Sequence, residues 1–114
     1  MAESESESVI AHSLRVVSEF RDDERPWLVE TLQSKLDRRL SRWEASQVEL
    51  ELSVKERDSS SQKTVLECWI SGEPKRFVGT SGETDLNRAV IEVRDDVHRQ
   101  VNDHVEKLTQ RGRR

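Results

Sequence analysis

The chain has 114 residues, of which 37% are charged and 32% hydrophobic, and a net charge of -4. That length supplies one modest core, and no apolar run approaches the ~20 residues that a membrane-spanning helix needs. The overall charge gives nucleic acid no attraction, so a phosphate-binding role would have to come from a local basic patch.

The charge is unevenly spread. Residues 1–11 carry Glu3, Glu5 and Glu7 with no basic side chain, and the stretch from Lys107 holds Arg111, Arg113 and Arg114 with no acid. The serine–glutamate alternation at the start has little to bury, so residues 1–11 are expected to be a disordered acidic tail. Deleting residues 1–8 should then leave the melting temperature nearly unchanged. Residues 12–111 are expected to form a single domain, and residues 112–114 a basic tail. The opening Met-Ala-Glu-Ser lacks the basic and apolar regions of a secretion signal, and Cys68 is the only cysteine. Both features lead to the expectation of a soluble, cytoplasmic protein without disulfides.

In chain order, Leu14, Val16 and Phe20 suggest a first short strand. Asp22, Asp23 and Glu24 suit the positive end of a helix dipole, and Pro26 fits a first helical turn. Leu28, Val29, Leu32, Leu36, Leu40 and Trp43 then form one stripe, which predicts a helix from about Pro26 to Glu44. Val48, Leu50, Leu52 and Val54 alternate with polar residues, as in a half-buried strand. A serine-rich turn follows, then a strand over Thr64–Ile70 with Leu66, Cys68 and Ile70 facing the core. After the turn Ser71-Gly72-Glu73-Pro74, Arg76–Thr80 predicts a last strand of an antiparallel meander. Thr84 or Asp85 caps a second helix, whose stripe is Leu86, Val90, Val93, Val97, Val101, Val105 and Leu108. The result is an α+β fold in the order β-α-β-β-β-α, a four-stranded sheet with two helices packed on one face. The other face would carry Glu49, Glu51, Glu67 and Trp69.

Signatures of catalysis and cofactor binding are missing. The glycines sit in turns or near ends, so no phosphate loop forms. His98 and His104 are six residues apart and cannot chelate from one helix face; they read as solvated helix residues. Cys68 falls on the core face as a packed thiol. Trp69 either packs against Val65 and a neighbouring strand or offers a stacking surface. No enzyme activity, cofactor or metal is expected.

The distinctive feature is a basic arc on the first helix. Lys35, Arg38, Arg39 and Arg42 fall within about 100° and flank the apolar stripe, while Asp37 points elsewhere. Such an arc suits phosphate contacts or a solvated, ion-paired face. On the second helix, Arg88, Arg94, Arg99 and Lys107 are interleaved with Asp95, Asp96 and Asp103.

Two strings carry a family resemblance over residues 13–111. Asp85-Leu86-Asn87-Arg88-Ala89-Val90, followed by Val97-His98-Arg99-Gln100-Val101, is similar to Asp-Met-Tyr-x-Ala-Ile … Leu-x-Arg-Gln-Leu of the ribosome hibernation-promoting factors, also called ribosome-associated inhibitors. Lys35-Leu36-Asp37-Arg38-Arg39-Leu40 resembles the Lys-Leu-x-Lys-Leu stretch of the same family. The resemblance, to the short form, implies a double-stranded-RNA-binding-like fold. It further implies binding to the small ribosomal subunit in the mRNA and tRNA groove, with inhibition of translation in the idle or stressed cell. By position it makes Lys35, Arg38, Arg42 and Arg99 residues that contact ribosomal RNA; the basic arc adds Arg39 to the expected contact set, with support from the arginine-rich C-terminus. The expected protein is a monomer with no membrane or DNA partner. Asp96 and Asp103 stand where the family carries basic residues. They favour a rival reading, a protein-interaction module on the same fold that has lost RNA binding.

Overall fold

The structure, a computed structural model, describes residues 8–73 and 76–112. It is an α+β fold with the elements α1 (Val9–Ser13), β1 (Leu14–Val16), α2 (Arg25–Leu40), β2 (Val48–Lys55), β3 (Lys63–Ile70), β4 (Phe77–Ser81) and α3 (Leu86–Gly112). The sheet order is β1-β2-β3-β4. β1 runs parallel to β2, with Leu14 beside Leu50, and β2, β3 and β4 are antiparallel neighbours.

Strict alternation decides which sheet face is buried. Val48, Leu50, Leu52, Leu66, Cys68, Ile70 and Phe77 join Leu28, Leu32, Leu36 and Leu40 of α2 in one core. Val90, Val93, Val97, Val101 and Val105 of α3 complete it, so both long helices cover the same face. Valine is a mediocre helix former, and α3 depends on this burial. Truncating a leucine such as Leu36 in such a core typically costs about 2–5 kcal/mol. On the open face, Glu51 and Glu67 are cross-strand neighbours. Their repulsion is offset by Arg15 (2.8 Å from Glu51) and Arg76 (3.5 Å from Glu67).

The cap of α3 is Asp85, whose carboxylate accepts from the Asn87 amide at 3.0 Å and the Arg88 amide at 3.4 Å. α3 then passes very close to β4. A Cβ on Gly79 would meet the Val93 carbonyl oxygen at 2.7 Å, so only glycine permits this approach.

Several boundaries differ from the pattern-based expectation. Of the segment expected to be a disordered tail, residues 1–7 lie outside the described residues and residues 8–11 are folded. Ile10 is fully buried and Val9 nearly so. Ser8 caps α1 by accepting from the Ala11 amide at 2.8 Å. Asp37 of α2 accepts from the Ile10 amide at 3.1 Å, placing a carboxylate at the electropositive end of α1. β1 stops at Val16 because Ser18 and Glu19 take left-handed φ values of 43° and 68°. α2 ends at Leu40, short of Glu44. There Ser41 donates its hydroxyl to the Arg38 carbonyl at 2.7 Å, and Trp43 reaches the core edge from the following turn. At the other terminus α3 runs through Gly112, so the expected basic tail begins inside the helix. Pro74, Arg113 and Arg114 lie outside the described residues.

One arginine ties the loops at the far end of the sheet. Arg57 holds the Glu24 carboxylate through two contacts, at 2.9 and 2.5 Å, and also donates to the Glu19 carbonyl at 2.7 Å. The Glu19 carboxylate in turn accepts from the Arg57 amide at 2.9 Å.

Candidate nucleic-acid interface

Lys35, Arg38 and Arg39 lie at i, i+3 and i+4 on α2, so they share one flank of the helix. That flank faces α3. Together with His98 they line a recess of about 480 Å³. Among the described residues, neither the Arg38 nor the Arg39 guanidinium has an ion-pair partner, and no carboxylate lines the recess.

The rim is fixed by a short network. Arg94 of α3 donates to the Thr31 carbonyl at 3.2 Å and the Ser34 hydroxyl at 3.1 Å, which ties α3 to α2. Arg94 also holds Asp95 at 2.9 Å, and Lys35 reaches the same carboxylate at 3.3 Å. Burial pushes the Asp95 carboxyl up, but the Arg94 and Lys35 contacts outweigh it and hold the group below its ordinary range. His98 is driven the other way. Burial first, then Lys35, Arg39 and Arg94, depress its imidazole below the usual value against the opposing pull of Asp95. Burial and the surrounding cations together disfavour a further proton in the recess.

Not every residue of the expected contact set converges here. Arg42 lies beyond the end of α2, with its guanidinium 5.9 Å from the Trp43 ring centroid. Arg99 is on another side of α3, where it pairs with Asp96 one turn earlier. Neither lines the recess. The Asp96–Arg99 spacing of three was visible in the sequence as an ion-pair signal.

The structure also corrects the reading of both α3 histidines as solvated. His104 Nε2 is 2.7 Å from Glu73 Oε1, and its ring packs edge-on to Phe77 with centroids 5.5 Å apart. His98 was missed as a site residue. It follows core residue Val97 and lies four residues after Arg94, which puts it on the flank that meets α2.

The chain matches no protein-family model and no curated protein. What the groove can bind follows from its own charges. Two unpaired guanidinium groups on adjacent residues, with an ammonium one turn earlier on the same flank, suit the recognition of phosphate oxygens.

Other features offer less. Cys68 is fully buried, and desolvation pushes its thiol up to about 12, which suits packing and not nucleophilic attack. Trp69 is half-buried on the open sheet face beside Glu49 and Arg15, where it lines shallow depressions of about 430 and 460 Å³. Among the described residues, no cluster of His, Cys, Asp or Glu could hold a metal ion. Nor is any helix among them long and apolar enough to cross a membrane.

Proposed function

We propose that this protein binds the small ribosomal subunit through phosphates of its ribosomal RNA and blocks the path of mRNA and tRNA, as a hibernation-type translation inhibitor. One observation carries the proposal: Lys35, Arg38 and Arg39 converge with His98 on a recess whose lining, among the described residues, holds no carboxylate. The β-α-β-β-β-α order of the main elements supports the resemblance noted in the α2 and α3 strings. Inhibition would be steric, with affinity dominated by phosphate neutralisation and therefore sensitive to salt.

The test is co-sedimentation with purified small subunits across a salt series. Arg38→Glu combined with Arg39→Glu should abolish pelleting at low salt while the far-ultraviolet circular dichroism stays native, because neither side chain belongs to the core. Pelleting of that variant at the wild-type level, or failure of the wild type to pellet at low salt, would overturn the proposal.

The rival, a protein-interaction module, is favoured by the pairing of Arg99 with Asp96 and of Lys35 with Asp95. These pairs neutralise part of the expected contact set within the chain. The same sedimentation series separates the two readings.

A further inference from the structure

We infer that His98, in its protonated form, is a phosphate ligand of the α2–α3 recess, so that RNA binding there takes up a proton and tightens as the pH falls. The inference rests on the RNA-binding reading above and adds a ligand and a regulation to it.

The geometry comes first. Among the described residues, His98 is the one contribution of α3 to the recess lining, opposite Lys35, Arg38 and Arg39 of α2. A phosphate seated between the helices therefore meets three cations on one wall and an imidazole on the other. The charged groups facing the ring are Lys35, Arg38 and Arg39 from α2, and Arg94 and Asp95 from its own helix. Asp95 is already engaged by Arg94 and Lys35.

The electrostatics then fix the sign. In the free protein, burial and the neighbouring cations lower the ring's pKa below its ordinary value, which disfavours the imidazolium. A bound phosphodiester brings negative charge among those same groups. It offsets the cation repulsion that adds to burial in lowering the ring's pKa, and it offers the imidazolium an acceptor. The ring's pKa is then higher in the complex than in the free protein. Binding and protonation reinforce each other, and affinity rises as pH falls through the interval between the two values. Ribosomal RNA phosphodiesters keep their charge across this range, so the pH dependence belongs to the protein side of the groove.

The experiment measures the affinity of fluorescently labelled full-length protein for purified small subunits by anisotropy at ~pH 7.5 and ~pH 5.5. Wild type should bind about tenfold more tightly at the lower pH, the order expected for one linked proton. His98→Gln should lose most of that gain. His98→Lys, which carries a permanent charge, should bind at the higher pH as tightly as wild type does at the lower one. If wild type binds without this pH dependence, or if His98→Gln gains as much as wild type, the role of His98 is overturned while the RNA-binding reading stands. If wild type binds at neither pH, both fall.

Discussion

The side-chain amide of Gln100 on α3 does for Val78 what a fifth strand would do. Its Oε1 accepts from the Val78 amide at 3.2 Å and its Nε2 donates to the Val78 carbonyl at 2.7 Å. Val78 is the second residue of β4, the last strand of the sheet. An unpaired edge is a template for pairing with another chain, and here a helix side chain occupies the donor and acceptor that Val78 would offer. The narrow β4–α3 spacing enforced at Gly79 is what lets so short a side chain reach.

Gln100→Leu should therefore act in two ways. Loss of the two hydrogen bonds to Val78, and of a further one from Nε2 to the Asp96 carboxylate at 3.2 Å, should cost about 1–2 kcal/mol, read as a shift in the denaturation midpoint with an unchanged slope. The freed edge should also promote self-association, visible as concentration-dependent sedimentation of the variant. Equal stability and sedimentation of variant and wild type would contradict the edge-guard role.

Much of this architecture was legible because it follows from periodicity. The alternation Val48, Leu50, Leu52, Val54 and the stripe Val90, Val93, Val97, Val101 each name their buried face without outside help. Asp85 as a cap is a local signal too. The parts that escaped depend on contacts distant in sequence. Val9 and Ile10 are only two apolar residues after a polar run, and nothing local reveals that Asp37 receives the Ile10 amide. In the same way, the arc on α2 was readable, but which of its members meet α3 depends on how the helices pack. Arg42 dropped out because α2 ends at Leu40, and His98 entered because α3 presents that flank to α2.

Glu24 and Arg57 provide a pH-dependent clamp. The hydrogen bond from Arg57 is the main cause that holds the Glu24 carboxyl down at about 2, against its ordinary 4.5. Above the ordinary value Glu24 is ionised in the folded and unfolded chain alike, and the clamp contributes in full. As pH falls from 4.5 towards 2, the unfolded chain takes up a proton that the folded chain refuses, so stability is lost across that window. Glu24→Gln should cost about 2 kcal/mol at neutral pH and flatten the acid limb of the stability curve. Urea titrations at a series of pH values would measure both. An acid limb identical to wild type would remove Glu24 from the account.

Ser8 and Asp37 anchor α1 from its two sides in sequence. The Ser8 hydroxyl satisfies the Ala11 amide and the Asp37 carboxylate the Ile10 amide. Ser8→Ala should cost about 1 kcal/mol. Asp37→Ala should cost about 1–2 kcal/mol by leaving a part-buried amide unpaired. Asp37→Asn keeps an acceptor oxygen and loses only the charge, so it should fall between Asp37→Ala and wild type. A chain that begins at Val9 should melt lower than one that begins at Ser8, in contrast to the insensitivity expected for a disordered tail. Thermal denaturation of these variants gives the order directly.

Asp95 restrains the recess. Its carboxylate holds Lys35 at 3.3 Å and Arg94 at 2.9 Å, and it pulls the His98 titration upward. Asp95→Asn should therefore have two separable effects on binding to the small subunit. With Lys35 released, a further cation is available to phosphate, so affinity at low salt should rise several-fold and the logarithm of affinity should fall more steeply with salt, by about one counterion. Without its local carboxylate, His98 in the free protein should titrate at still lower pH, so the pH-dependent tightening should shift towards acid. Arg94 loses its charged partner but keeps its bonds to Thr31 and Ser34, so the α2–α3 spacing should persist and stability should change by less than about 1 kcal/mol. Anisotropy titrations across salt and pH, with a parallel urea midpoint, measure all three. A variant that binds more weakly at low salt with its midpoint intact would mean that Asp95 shapes the groove and does not restrain it.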